Sequence, residues 1–269
     1  MTPVLAVTNL TKRFGAFTAV DDVSFEIAAG ASVGIVGESG SGKTTLARMI
    51  IGLETPTTGS ISCCGNDRSA PARSTRARRA RARETQIVFQ DPYASLDPHQ
   101  TVRQALTEAA SLHIADRRDS EARVRELADL VAIDERQLAS VPKHLSGGQR
   151  QRVAIARALA AGPRVLVLDE SVAALDVSIQ AQILNLLADI RDRTGISYLF
   201  ISHDLAVIRQ VTEYSIVMRT GVVVERGDTE TLLRTPAHPY TQALLASVPR
   251  PGWKPSRKER SDRDAPDTD

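Results

Sequence analysis

The sequence predicts an α/β fold: a core of strands buried on both faces, a layer of alternating strands, and a helical segment inserted between sheet elements. Three observations carry this. Ser32-Val-Gly-Ile-Val36, Arg164-Val-Leu-Val-Leu168 and Ser197-Tyr-Leu-Phe-Ile201 are short apolar runs that end in Gly or polar residues, as strands of a doubly covered parallel sheet do. The stretches 4–9 and 23–28 instead alternate or cluster apolar residues like strands of a second, smaller layer. From Thr101 to about Leu138 the period turns helical, with Val102, Leu106, Ala109-Ala110, Val124, Leu127 and Leu130-Val131 in register.

Composition bounds the rest. With 42% hydrophobic residues in 269, the chain can bury a large core. A net charge of +2 gives no reason to expect nucleic acid as the main partner. No apolar run reaches eighteen residues and the start has no signal-peptide pattern, so a soluble, cytosolic chain is expected. Cys63 and Cys64 are the only cysteines, adjacent on a predicted strand 60–64. One reads as a small buried hydrophobe, and neither a disulfide nor a metal site is expected of them.

After the strand at 32–36 comes Gly37-x4-Gly42-Lys43-Thr44, followed by the helical pattern Leu46 to Gly52. This is the spacing and context of a P-loop. Gly37, Gly40 and Gly42, with Ser39 and Ser41 between them, let successive N–H groups turn toward phosphate oxygens. The helix start at Lys43, Thr44 and Thr45 adds its positive dipole end. Lys43 is expected to reach β- and γ-phosphates and the Thr44 hydroxyl to ligate Mg²⁺.

Lys12-Arg-Phe14 places an aromatic ring ahead of this loop, available for a purine, although a Phe is more often core. Residues 68–83 carry Arg68, Arg73, Arg76, Arg78, Arg79, Arg81 and Arg83 without an aromatic, and read as a solvated helix or loop, with binding of anionic lipid headgroups as the alternative. A strand at 85–89 leads to Gln90. His144-Leu-Ser-Gly-Gly-Gln149 precedes a helix expected at 151–161, with Ser146 ahead of two glycines as an anion-binding helix start.

The run at 165–168 ends in Asp169-Glu170, at the strand end where ligands of doubly wound sheets bind. Asp169 is expected to hold Mg²⁺, and Glu170 to orient or deprotonate an attacking water. His203 follows the strand at 197–201 at the same edge and is assigned to the γ-phosphate. A helix over 178–193, a hairpin at 216–218 and 222–225, and a short amphipathic segment at 236–245 complete the ordered part, with a polar, disordered end expected after Pro249.

Taken together, these motifs resemble the ATP-binding-cassette family over about residues 4–250. Gly37 to Thr45 looks like Walker A, Gln90 the Q-loop, Leu145-Ser-Gly-Gly-Gln149 the signature motif, Leu166 to Glu170 Walker B, Ala174-Leu-Asp176 the D-loop and His203 the H-loop. The stretches 88–98, 175–187 and 238–245 are similar to ATPase subunits of oligopeptide, dipeptide and nickel importers.

The resemblance implies a P-loop NTPase core with an antiparallel β layer at 1–90 and 156–235, a helical subdomain at 91–155 and a C-terminal extension at 236–269. It implies ATP and Mg²⁺ as cofactors, with Gln90 coupling the metal and water to a membrane partner docked near residues 93–96. It also implies a head-to-tail ATPase dimer, with itself or a similar subunit. Ser146, Gly147, Gly148, Gln149 and Asp176 would face the partner's nucleotide, while Phe14 stacks on this chain's own adenine. Two membrane-spanning permease subunits, and indirectly an extracytoplasmic solute-binding protein, would complete an importer of a peptide-like or nickel-like solute, with this chain peripheral on the cytoplasmic face. An exporter, or a nucleic-acid or ribosome machine, is the alternative. Ser171 and Ala173 depart from the Pro and Ser usual in relatives, which loosens the link between Glu170 and the D-loop.

Overall fold

The computed structural model describes residues 2–91 and 96–246. Two sheets pack on one another. β1 (Leu5–Phe14), β2 (Phe17–Ile27), β4 (Thr58–Cys63) and β5 (Asn66–Asp67) form an antiparallel layer in the order β2-β1-β4-β5. The larger sheet runs β10-β9-β3-β8-β7-β6, from β3 (Ser32–Val36), β6 (Thr85–Val88), β7 (Val165–Asp169), β8 (Ser197–Ser202), β9 (Tyr214–Arg219) and β10 (Val222–Asp228). It is parallel from β9 to β6, and β10 closes the edge as the antiparallel arm of a hairpin.

Why the central strands read as unbroken apolar runs is visible in their packing. Val165 and Val167 face the β layer with Val33, Ile35, Leu199 and Ile201, while Leu166 and Leu168 face the helices with Val36, Tyr198 and Phe200. Successive side chains of a strand point to opposite faces. Both faces are covered here, so polar residues have no place until the strand ends.

Helix α1 (Lys43–Ile51) lies under the β layer and buries Leu46, Ala47, Met49 and Ile50. On the other face, α3 (Val102–Ser111), α4 (Arg117–Leu130), the short α5 (Glu135–Leu138) and α6 (Gly147–Leu159) join α7 (Val177–Thr194) in one apolar cluster. Thr101 and Gln104 close a capping box on α3, and Asp116 caps α4. α6 begins earlier than the pattern at 151–161 suggested, because Ser146 and Gln149 also form a capping box. It runs on through residue 159, so the boundary drawn at 155/156 falls inside it.

α2 (Thr75–Ala82) carries most of the arginine-rich stretch and buries no residue. Arg68 departs from the solvated reading: it is 3% exposed, donates to Thr85 Oγ1 and to the Arg81 carbonyl (3.5 Å), and lies 3.7 Å from Glu84. A guanidinium can be buried where its donors find partners, and here it ties the β5 edge to β6. Cys63 is buried beside Thr85, whereas Cys64 is exposed. α8 (Leu205–Val211), α9 (Thr229–Arg234) and α10 (Pro239–Ala246) finish the described chain. Most of the expected docking segment 93–96, and the polar end expected after Pro249, lie outside the described residues.

Candidate active site

The P-loop follows β3 without a break, and backbone contact shapes it. A Cβ at Gly37 would meet the Met218 carbonyl at 2.2 Å, and one at Gly42 (φ 100°) the Ala19 carbonyl at 2.3 Å, so no larger residue fits either place. The Gly221 N–H donates to the Ser41 carbonyl (3.0 Å), while the Gly221 carbonyl accepts from the Asp21 N–H (2.9 Å). The β9–β10 turn therefore clamps loop and β layer together. Inside the loop the buried Lys43 ammonium donates to the Gly37 carbonyl (2.7 Å), the Glu38 carbonyl (2.8 Å) and Ser41 Oγ (3.3 Å). Burial lowers its pKa, and Glu170, Asp169 and Glu38 work in the opposite direction.

The ends of β7 and β8 bring the acidic groups to this loop. Thr44 Oγ1 lies 3.5 Å from Asp169 Oδ1. Burial raises the Asp169 pKa, with Glu170 adding to it and Thr44 and Lys43 opposing. Glu170 leaves the strand with φ 49°, a left-handed value that costs a side-chain-bearing residue on the order of 1 kcal/mol. Its N–H donates to the Ile201 carbonyl (2.8 Å), and its Oε1 lies 3.3 Å from His203 Nδ1. The strained residue is thus held by β8 on one side and by the following turn, Ala173 N–H to Glu170 carbonyl (3.1 Å), on the other.

One cleft is lined by Ser39, Thr44, Gln90, Asp169 and Glu170 together with Arg48, Phe89, Asp91 and Arg157. Five residues singled out in the sequence therefore converge, with Lys43 beneath and His203 at the rim. Thr45 is half-buried on α1. Other expected residues lie apart from that cleft. Phe14 is exposed at the end of β1, with the Lys12 ammonium 4.8 Å over its ring. Ser146 is exposed at the start of α6, its Oγ accepting from the Gln149 N–H (3.3 Å) and its N–H donating to Gln149 Oε1 (2.8 Å). Gly147 has room for a methyl group, whereas one on Gly148 would lie 2.6 Å from Ile179 Cγ2. Gly148 is accordingly needed for α6 to pack on α7. Asp176 caps α7, accepting from the Ile179 N–H (3.0 Å) and Ser178 Oγ (2.7 Å), and the Ser178 hydroxyl in particular lowers its pKa.

Arg157 was not picked out from the sequence. Its signal is there: it is the one charge in Val153-Ala-Ile-Ala-Arg-Ala-Leu159, and a cation in such a run faces something polar. Burial lowers its pKa, and it lines both this cleft and a groove shared with Gln86, Leu96, Asp97 and Glu108.

A buried ammonium within a glycine-shaped loop, beside two acids at strand ends, defines an anion-binding site of the P-loop type. The family model described as ABC transporter matches residues 20–173, and one described as oligopeptide/dipeptide transporter, C-terminal region, matches 224–268. The chain belongs to the ABC transporter family. The oligopeptide transport ATP-binding protein OppD of Mycobacterium tuberculosis is 46% identical over 242 residues, 90% of this chain and 39% of the relative. The chain thus spans about two-fifths of that protein's length. A peptide import ATP-binding protein of Brucella abortus is 48% identical over 235 residues, covering 86% of this chain and 70% of the relative.

Among solved structures, cbiO1 of Clostridium perfringens, part of the ABC transporter complex cbiONQ, superposes with a TM-score of 0.78 at 27% identity, over 88% of this chain and 97% of that one. The ATP-binding cassette MJ0796, in a dimeric post-hydrolysis state bound to ADP and Pi, gives 0.74 at 28% identity, over 84% and 98%. Among the described residues no helix is long and apolar enough to cross a membrane.

Proposed function

We propose that this chain is the ATP-hydrolysing subunit of an ABC importer, coupling MgATP binding and hydrolysis to uptake of a peptide-like solute through separate membrane subunits. The observation that carries the ATPase reading is the convergence of Lys43, Thr44, Asp169, Glu170 and His203 on one loop and two strand ends. The importer reading is supported by the relatives' names and by the match of the C-terminal region.

The residues fit the cofactors. Lys43 can keep the loop carbonyls and turn its longest bond, to Ser41 Oγ (3.3 Å), toward phosphate oxygens, which are stronger acceptors for an ammonium. Thr44 Oγ1 and Asp169 Oδ1, with Gln90 at the cleft mouth, are hard oxygen donors too few to cage an ion, which suits a metal that keeps waters and phosphate oxygens. Mg²⁺ held there would neutralise charge on the β- and γ-phosphates. Glu170 then orients a water and takes its proton, while His203 holds the Glu170 carboxylate in position and meets the γ-phosphate.

Phe14 offers its exposed ring to the adenine. Ser146, Gly147, Gly148, Gln149 and Asp176 lie away from this chain's own cleft, and a second ATPase subunit, identical or similar, brings its own set of them to the γ-phosphate. In this scheme residues 1–90 and 156–235 act as the catalytic core, and 91–155 as the arm that meets two permease subunits, with a solute-binding protein beyond the membrane.

Reconstitution with those membrane subunits in vesicles tests the proposal. ATP-dependent accumulation of a labelled peptide is expected. Phosphate release without accumulation of peptide would leave the ATPase but remove the importer reading, and absence of phosphate release would remove both.

A further inference from the structure

The C-terminal arm touches the P-loop, through a residue that no part of the mechanism above uses. After β10 the chain turns back, with the Glu225 carboxylate accepting from the Ala237 N–H (2.7 Å) and the His238 N–H (3.1 Å). Burial works to raise the Glu225 pKa, but the Thr241 side chain and these two backbone bonds outweigh it and hold the carboxyl below its usual range. His238 Nδ1 then accepts from the Tyr240 N–H (3.1 Å), fixing the first turn of α10.

Tyr240 is buried, and its ring lies under the Arg219 guanidinium, 4.9 Å from the centroid. Its hydroxyl accepts a hydrogen bond from the Glu38 N–H (3.2 Å). The same residue's carbonyl accepts from Lys43 Nζ (2.8 Å). Glu38 is therefore held at both ends of its backbone, by the arm through its N–H and by the P-loop lysine through its carbonyl. The orientation of this residue, together with the Gly37 carbonyl, sets where the Lys43 ammonium rests.

We propose that Tyr240 is a positioning residue for the phosphate loop: it fixes the Glu38 backbone, and through it Lys43, so that the C-terminal arm sets the affinity for nucleotide. The inference rests on the nucleotide-binding reading and deepens it. A hydroxyl that fixes one amide acts by pre-organisation, so its loss weakens binding of any nucleotide whose phosphates contact the loop, ATP and ADP alike. Chemistry at Glu170 is left as it was.

The test uses the full chain with Mg²⁺ and either ATP or ADP, measured by calorimetric titration. Tyr240→Phe keeps the ring under Arg219 and removes only the acceptor. Its Kd for both nucleotides is expected to rise roughly three- to tenfold. Its melting temperature should stay near the parent's, and the Glu38 amide alone within the loop should exchange faster with deuterium. Arg219→Gln, which frees the ring from its other side, should move Kd in the same direction by less. Parental Kd values in Tyr240→Phe would overturn the positioning role, as would a lowered melting temperature with parental Kd, which is the mark of packing alone. Failure of the parent chain to bind either nucleotide would instead overturn the nucleotide-binding reading.

Discussion

His203 Nδ1 lies 3.3 Å from Glu170 Oε1, although the two residues directly follow different strands, β8 and β7. Because Glu170 is already fixed by its N–H to the Ile201 carbonyl, the histidine controls only the direction of the carboxylate.

Removing the carboxylate's basicity should therefore stop chemistry and spare binding. Glu170→Gln is expected to bind ATP with parental affinity and to lower phosphate release by about 10²–10⁴-fold. It should also accumulate an ATP-bound dimer, visible by light scattering. His203→Ala should lower turnover by less. Parental phosphate release from Glu170→Gln would exclude Glu170 as the base.

The two glycines that open α6 should separate in their effects. In Gly148→Ala the new methyl group meets Ile179, an overpacking that costs about 1–3 kcal/mol. Its Tm should fall by several degrees. Gly147→Ala has room and should melt like the parent, yet weaken ATP-driven dimerisation if the start of α6 faces a partner's nucleotide. Parental dimerisation in Gly147→Ala would count against that contact.

Asp169 makes stability depend on pH. Its pKa is raised by burial, so the folded chain holds this proton more tightly than the unfolded chain, whose Asp titrates near about 3.9. Below the unfolded value the group does not affect folding. As pH rises from there through the folded pKa its ionisation opposes folding, and above that the opposition is complete. Asp169→Asn should thus raise Tm at pH 7, with the gain shrinking as pH falls toward the unfolded value, while Mg²⁺-dependent hydrolysis is lost. A lowered Tm at pH 7 would mean that the contacts to Thr44 and Lys43 outweigh burial.

Phe14 is exposed, so it can be changed without disturbing the core. Phe14→Ala should raise Kd for ATP by about three- to tenfold at unchanged Tm, and Phe14→Trp should restore it. An unchanged Kd in Phe14→Ala would move the base elsewhere.

How far the sequence could be read follows from what each segment must satisfy. β3, β7 and β8 were legible because strands covered on both faces have no polar positions inside. β1 and β2 were read too short. Asn9 (φ 47°) and Asp22 (φ 52°) interrupt their alternation, and the pairing shifts register nearby. Arg68 was misread because charge density along a chain does not reveal which guanidinium finds buried acceptors. Within the site, the groups proposed to touch phosphate carry fixed spacing, and the structure brings Lys43, Thr44, Asp169 and Glu170 to one loop and strand end. Arg157 and Tyr240 reach the site by tertiary packing, and no spacing within their own segments encodes where they arrive.

The clamp made by Gly221 has a consequence for recognition. One residue, Gly221, joins Ser41 in the P-loop to Asp21 in β2, and the Ala19 carbonyl seats against Gly42 and Gly221. The layer that carries Phe14 and the loop that carries Lys43 are consequently one rigid body. If the base rests on one and the phosphates on the other, the molecule works as a fixed-length gauge, and ligands too short to reach from ring to lysine are rejected by distance before any group on the base is read.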